Sequence, residues 1–164
     1  MLESGEKPAV ETSENKSLYE LREDALKNVQ KYKAEYDEYW ELKEKEFKTR
    51  DYYYDSADFL GRFMDEGYNA KVKYSELNYS ELRQITEIIS DICAETGEKD
   101  TVYWNRKDKR DFYKNIYEKC QELGRKYNAA GVAYNDEIAD ALEKRQTYVE
   151  LYNKYDKQIK SKKK

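Results

Sequence analysis

The stretch that decides the fold lies at residues 112–159 and reads FYKNIYEKCQELGRKYNAAGVAYNDEIADALEKRQTYVELYNKYDKQI. It carries an apolar side chain at every third or fourth position, with a mean spacing of about 3.6 residues, the repeat of an α-helix. The series is interrupted at Arg145 and comprises Phe112, Ile116, Cys120, Leu123, Tyr127, Ala130, Tyr134, Ile138, Ala141, Tyr148, Tyr152, Tyr155 and Ile159. We therefore predict a long helix that opens near residues 101–105 and ends near residue 160.

A second apolar series of matched length precedes it. This series is interrupted at Lys43 and Arg50 and comprises Leu18, Leu21, Ala25, Val29, Tyr32, Tyr36, Trp40, Phe47, Tyr54, Ala57, Leu60 and Met64. Ser17 and Glu20 have the spacing of a capping box, in which each side chain accepts a hydrogen bond from the other residue's amide. Gly67 is a suitable C-terminal stop. The predicted helix runs from residue 17 to about residue 66.

A shorter helix is predicted between the two long ones. Asn78 and Glu81 form another capping signature, and Gly97 closes the pattern, which gives a helix over residues 79–96. Its apolar face consists of Leu82, Ile85, Ile88, Ile89, Ile92 and Cys93. This face is the densest aliphatic surface of the chain.

The helix lengths predict the fold class. At a rise of 1.5 Å per residue, helices of about 50 residues reach roughly 75 Å, and one of about 18 residues reaches roughly 27 Å. We therefore expect an all-α, elongated antiparallel helical hairpin, coiled-coil-like with weak supercoiling, in which the shorter third helix packs at one end. Its predicted organisation is a disordered segment over residues 1–16, a single helical domain over residues 17–160 and a basic tail over residues 161–164.

Composition limits the possible compartments and partners. Charged residues make up 40% of the chain, but the formal net charge is only −4, so no global field favours nucleic acid or anionic membrane. The 18 tyrosines argue against a disordered chain. No apolar run is long enough to span a bilayer, and the N-terminus has no signal region. We expect a cytoplasmic protein, or an exported or lipid-anchored one if a signal segment was removed ahead of Met1.

Enzymatic chemistry finds little support in the sequence. Histidine, the commonest general base, is absent. Phosphate-binding loops, dinucleotide fingerprints and paired-cysteine metal motifs are missing too. Carboxylate pairs one turn apart, such as Asp136 with Asp140, are expected by chance on helices that carry 35 acidic residues. We therefore expect no catalytic, cofactor-binding or metal site and no small-molecule substrate.

Tyrosines form the first candidate site. Tyr32, Tyr36 and Tyr39 are spaced four and then three residues apart, as are Tyr148, Tyr152 and Tyr155. Tyrosine combines a large apolar area with a hydroxyl that tolerates water, and aromatic residues are enriched in interface cores. With Trp40, these residues form what we call the tyrosine surface. It is interpreted either as an internal seam, as a homodimer interface or as the binding surface of another partner.

The start of the last predicted helix is the second candidate site. Trp104 is followed by Arg106, Lys107, Lys109 and Arg110, so four cations stand where the helix dipole prefers acids. An anion would compensate them, and an aromatic ring beside basic side chains suits phosphate contact with base stacking. A solvated structural surface is the alternative interpretation.

Long helical hairpins of this kind resemble, in architecture alone, bacterial surface lipoproteins, phage proteins and assembly factors. The sequence therefore favours a non-enzymatic helical protein-protein interaction or assembly protein that presents the tyrosine surface. One alternative is a nucleic-acid-associated helical subunit that uses the basic helix start and the C-terminal lysines. Another is an exported, surface-tethered helical spacer.

Overall fold

The computed structural model describes residues 16–163, and this part of the chain is all-α. It contains helices α1 (Leu18–Gly61), α2 (Tyr79–Thr96), α3 (Thr101–Trp104), α4 (Phe112–Val132) and α5 (Asn135–Lys162). A single 3₁₀ turn covers Tyr74–Glu76. The described residues form no strand, only an isolated bridge between Met64 and Ala70. The predicted disordered segment, apart from Lys16, and Lys164 of the predicted tail lie outside the described residues.

The chain divides into two compact units. We call the segment Lys43–Val132 the central unit, and Met1–Leu42 together with Ala133–Lys164 the terminal unit. The prediction of one helical domain over residues 17–160 stays a prediction.

The central unit contains the main hydrophobic core. The aliphatic face predicted for α2 lies in this core, since Ile85, Ile88, Ile89 and Ile92 are at most 1% exposed. The other core residues are Tyr53, Ala57, Phe59, Leu60, Phe63, Met64, Leu77, Tyr103, Phe112, Tyr113, Ile116, Cys120 and Leu123. Within this unit the end of α1 runs antiparallel to α4, because Arg50 donates a hydrogen bond to Asn128 over 2.9 Å while Tyr54, further along α1, packs on Gly124, earlier in α4.

The terminal unit is a pair of antiparallel helices. Arg22 donates to Asp156 over 2.8 Å, and the rings of Tyr32 and Tyr148 stack further along the pair. Among the described residues of this unit, the buried apolar side chains are only Ala25, Ile138, Ala141 and Ile159, and each of them is 3–8% exposed. Two helices bury one stripe each, so the rest of their apolar surface stays partly in contact with solvent.

Local capping signals were predicted correctly. Ser17 and Glu20 exchange hydrogen bonds between side chain and amide at 3.1 and 3.3 Å, and Asn78 and Glu81 do so at 2.9 Å in both directions. Gly97 ends α2 with φ +76°, and its amide donates to the Cys93 carbonyl. The bounds of α2 are those predicted.

The end of the first helix was predicted wrongly. α1 stops at Gly61, not near residue 66, and the chain continues in a tight turn in which the Phe63 amide donates to the Leu60 carbonyl. Asp65 stabilises the following loop, since its Oδ1 accepts the amides of Gly67 and Asn69, each at 2.9 Å. These bonds compete with continuation of the helix.

The prediction of one continuous helix over residues 101–160 was also wrong. Tight turns at residues 105–111 separate α3 from α4, and residues 133–134 separate α4 from α5. The first break follows from packing: in one helix Trp104 and Phe112 would stand about 12 Å apart along the axis, yet their ring centroids are 6.0 Å apart. At the second break Gly131 and Asn135 are weak helix formers.

Candidate functional site

The tyrosine surface lies wholly in the terminal unit, and most of its rings are in contact with one another. Tyr32 stacks on Tyr148 with centroids 5.7 Å apart and planes 12° apart. Tyr36 meets Trp40 edge-on at 6.4 Å, whereas Tyr39 contacts Tyr134, which the prediction did not include, at 6.2 Å. Some of the predicted partner-binding rings therefore fill the seam between α1 and α5.

The residues of the tyrosine surface are only partly exposed. Tyr32, Tyr36, Tyr39, Tyr148, Tyr152 and Tyr155 are half-buried, and Trp40 is 36% exposed. Leu142 is 48% exposed. Tyr152 also lies 6.0 Å below the Arg22 guanidinium. The rings of the tyrosine surface are therefore only partly covered.

Two arginine side chains of the terminal unit each have a buried nitrogen atom. Arg145, the interruption in the apolar series, is half-buried, and its Nε is buried with no hydrogen-bond partner among the described residues. The Nε of Arg22 is in the same condition. A buried donor without an acceptor costs free energy, so the terminal unit retains unsatisfied polar groups as well as incompletely covered rings.

Three cations of the second candidate site line a cleft in the central unit. Residues 70–76 form one wall, and residues 107–110 with Tyr113 form the other, around a cavity of about 540 Å³. The walls are joined where the Ala70 amide donates to the Arg110 carbonyl over 2.9 Å. We call this the basic cleft, because its lining contains Lys71, Lys73, Lys107, Lys109 and Arg110 against two acids, Glu76 and Asp108.

The structure changes the membership of the predicted anion site. Lys107, Lys109 and Arg110 line the cleft, but Arg106 does not and pairs with Asp111. Trp104 also stands outside the lining, and its indole packs on the rings of Tyr74 and Phe112 at 5.9 and 6.0 Å. Trp104 is half-buried by these contacts, and its base-stacking role stays a prediction. The cations precede α4 in turns rather than occupying its first turn.

Sequence reasoning missed half of the cleft. Lys71, Lys73, Tyr74 and Tyr113 line it, and the alternating lysines of residues 71–73 are the one local signal that could have indicated a basic wall. The Lys107 Nζ lies 5.8 Å from the Tyr74 ring centroid, which links the two walls by a cation–π contact.

Burial raises the pKa of two chemically reactive side chains in the central unit, Cys120 and Tyr113. Burial raises the pKa of the Cys120 thiol to about 12, and burial with the Glu81 and Glu76 carboxylates nearby raises the pKa of Tyr113 to about 12. Both cysteines are free thiols. A buried thiol with a raised pKa is a poor nucleophile, so Cys120 is a structural residue.

No described helix has both the length and the apolarity to cross a bilayer. Within residues 16–163, no three or more cysteine, aspartate or glutamate side chains are grouped so that they could hold a metal ion. Searches against protein-family models, curated proteins and solved structures give no significant match.

Proposed function

We propose that the chain is a non-enzymatic helical protein-protein interaction or assembly protein and that the tyrosine surface is its contact site. The observation that carries this proposal is the incomplete core of the terminal unit. Only four apolar side chains are buried among its described residues, although seven aromatic residues of the tyrosine surface lie on its two helices. A covering partner would bury the exposed parts of these side chains, and each Å² of apolar area buried contributes roughly 25 cal/mol.

The proposed partner is a second copy of the chain. Two such helix pairs would form a four-helix arrangement with a shared aromatic core, a common solution for amphipathic helices. Aromatic residues dominate interface energetics. The buried Nε groups of Arg22 and Arg145 have no hydrogen-bond acceptor within the described residues. Acidic side chains of a second copy would supply such acceptors.

Solution mass tests this proposal. We expect light scattering coupled to size-exclusion chromatography to give a dimer whose stability changes little with salt, because apolar association does not depend on charge. The double variant Tyr36→Asp with Tyr152→Asp should yield a monomer with mostly intact helix content. The control is Tyr79→Asp, since Tyr79 is 80% exposed in the central unit. A monomeric wild-type protein, or an unaffected dimer in the double variant, would exclude self-association through this surface.

The same samples test the finer architecture. We propose the elongated, coiled-coil-like hairpin with the shorter helix at one end, for which small-angle scattering should give a maximum dimension near the length of the long helices. We place the protein in the cytoplasm. The exported, surface-tethered spacer predicts instead an export signal in the coding sequence upstream of Met1.

A second candidate function is association with nucleic acid through the basic cleft. It is supported by the five cations against two acids in the lining. Binding driven by phosphate contacts should weaken steeply as salt rises, with a logarithmic slope that counts the neutralised phosphates. Fluorescence anisotropy with a labelled single-stranded oligonucleotide measures this slope. A flat salt dependence would exclude phosphate-driven association.

A further inference from the structure

The Tyr113 hydroxyl is a buried polar group that the fold leaves without a partner. Tyr113 is 1% exposed, and its hydroxyl makes no hydrogen bond within the described residues. Burial of an unpaired hydroxyl is unfavourable, so buried polar groups in folded proteins nearly always have partners. This side chain lines the basic cleft, where a ligand could supply the missing acceptor.

The position of this hydroxyl is fixed by packing. The Tyr113 ring contacts Phe63 with centroids 5.4 Å apart and Phe112 with centroids 5.2 Å apart. With its pKa raised to about 12, mainly by burial, Tyr113 stays protonated at neutral pH. The hydroxyl is thus a preorganised donor.

The charges that line the basic cleft are mostly positive and favour an anion, although the Glu81 and Glu76 carboxylates are the charges that act on the Tyr113 hydroxyl itself. Lys71, Lys73, Lys107, Lys109 and Arg110 are all exposed, and within residues 16–163 no carboxylate forms an ion pair with any of them. Of the two acids in the lining, Glu76 accepts the Lys73 amide over 2.8 Å, and both Glu76 and Asp108 reduce the positive charge of the cleft.

The N-terminus of α4 adds to this field. The first turn of α4 carries no acidic residue, and Asp111, which precedes it and whose carbonyl accepts the Asn115 amide, pairs with Arg106, so the positive end of the helix dipole is only partly compensated. Helix N-termini bind phosphate groups through this dipole and their free amides. Tyr113 is the second residue of α4, so its backbone belongs to that first turn.

We propose that the basic cleft binds a phosphate group, with the Tyr113 hydroxyl as a hydrogen-bond donor and the lysines of both walls and Arg110 as counter-charges. This inference rests on the second candidate function and names its ligand group. The cavity of about 540 Å³ is larger than one phosphate ion. It therefore has room either for inorganic phosphate or for the phosphate group of a larger molecule, such as a nucleotide or an oligonucleotide.

The decisive variant is Tyr113→Phe, which removes only the hydroxyl. We expect isothermal titration at low ionic strength to show binding of inorganic phosphate to the wild-type protein and a loss of about tenfold or more in the variant, the usual effect of one hydrogen bond to a charged group. The control is Tyr53→Phe. Tyr53 is also buried in the central unit, with only a 3.5 Å contact from its hydroxyl to the Asp91 carbonyl, and it lies outside the cleft.

Charge variants test the walls. Lys107→Gln with Arg110→Gln should weaken phosphate binding, whereas Lys99→Gln with Lys114→Gln, which removes the same charge outside the lining, should change it little. A urea unfolding curve establishes that each variant is folded. Equal losses in the two double variants would mean that binding follows net charge and would overturn the proposed site.

Three ligands separate this inference from the function on which it rests. They are inorganic phosphate, a nucleoside monophosphate and a single-stranded oligonucleotide. If phosphate binds through Tyr113 and the oligonucleotide does not bind, the phosphate site stands and the nucleic-acid function fails. If the oligonucleotide binds equally to wild type and Tyr113→Phe, the nucleic-acid function stands and the phosphate site is refuted. Absence of binding by all three refutes both.

Discussion

Tyr32 and Tyr148 lie face to face, with ring centroids 5.7 Å apart and planes only 12° apart. Two lysines flank this pair, since Lys31 Nζ and Lys144 Nζ lie 5.1 and 5.6 Å from the Tyr32 ring centroid. Stacked aromatic pairs of this geometry contribute about 0.5–1.5 kcal/mol beyond the area they bury. The contact therefore joins α1 to α5 by a specific interaction rather than by apolar area alone.

A double-mutant cycle should measure that contact. We expect Tyr32→Ala and Tyr148→Ala to be coupled by about 0.5–1.5 kcal/mol in the free energy of urea unfolding at one protein concentration. The control cycle pairs Tyr32→Ala with Tyr152→Ala. Within the described residues, the Tyr152 ring makes no contact with the Tyr32 ring. That cycle should be additive within about 0.5 kcal/mol. Equal coupling in both cycles would contradict a specific stack.

Two glycines of α4 are predicted to resist substitution by alanine. A Cβ at Gly124 would lie 2.3 Å from the Tyr54 ring, and one at Gly131 would lie 2.4 Å from the Phe47 ring. Overpacking costs about 1–3 kcal/mol, which exceeds the gain of about 1 kcal/mol from the better helix former. We expect each variant to lower the free energy of urea unfolding.

Gly61→Ala is the matched control for the glycine variants. Gly61 is the last residue of α1, and no atom lies within 4 Å of a Cβ built on it. The substitution should stabilise the protein by about 0.4–1 kcal/mol. If Gly124→Ala and Gly131→Ala stabilised the protein as much, the close contacts with Tyr54 and Phe47 would not hold in solution.

The cap of α2 gives a third prediction. Asn78→Ala removes the side-chain acceptor of the Glu81 amide and should cost about 1 kcal/mol of unfolding free energy. Asn78→Asp retains an acceptor and should cost much less. Hydrogen exchange of the first turn of α2 is the local measurement, and an equal effect of both substitutions would argue against the cap.

Alkaline pH should destabilise the fold. Burial raises the pKa of Cys120 and Tyr113 to about 12, from ordinary values of 9.0 and 10.0. The hydrogen bond to Glu95, followed by burial, raises the pKa of Tyr127 to about 12. The unfolded chain therefore loses its protons first, so the native state binds more protons and its stability falls as pH rises from about 9 to about 12.

Urea midpoints at increasing pH test the direction of this effect. In Tyr113→Phe one of the shifted groups is removed, so the decline above about pH 10 should be shallower by up to about 1.4 kcal/mol per pH unit. Stability that stayed constant to pH 11 would show that these groups ionise alike in the folded and unfolded chains.

Local signals in the sequence predicted what local interactions determine. The apolar series fixed the buried faces, since each of its apolar members except Trp40 is buried or half-buried. The Asn78 cap and Gly97 predicted the bounds of α2, because a cap depends only on residues a few positions away.

Tertiary contacts explain what the sequence did not predict. The break between α3 and α4 accompanies the packing of Trp104 on Tyr74, a residue of another segment, and helical periodicity carries no information on that contact. The basic cleft likewise joins lysines of residues 71–73 to residues 107–110, which are distant along the chain. Tyr113 was identified neither as a site residue nor as an unpartnered donor, because that condition exists only in the folded core.

The two units differ in the number of chain segments that form them. The central unit is one continuous segment, Lys43–Val132, whereas the terminal unit needs both Met1–Leu42 and Ala133–Lys164. On a ribosome, the core of the central unit is therefore complete before α5 has been synthesised. During that interval Tyr32 cannot form its stacking contact, because Tyr148 has not yet been synthesised. The first half of α1 is thus the part of the nascent chain whose apolar stripe stays longest without its native cover.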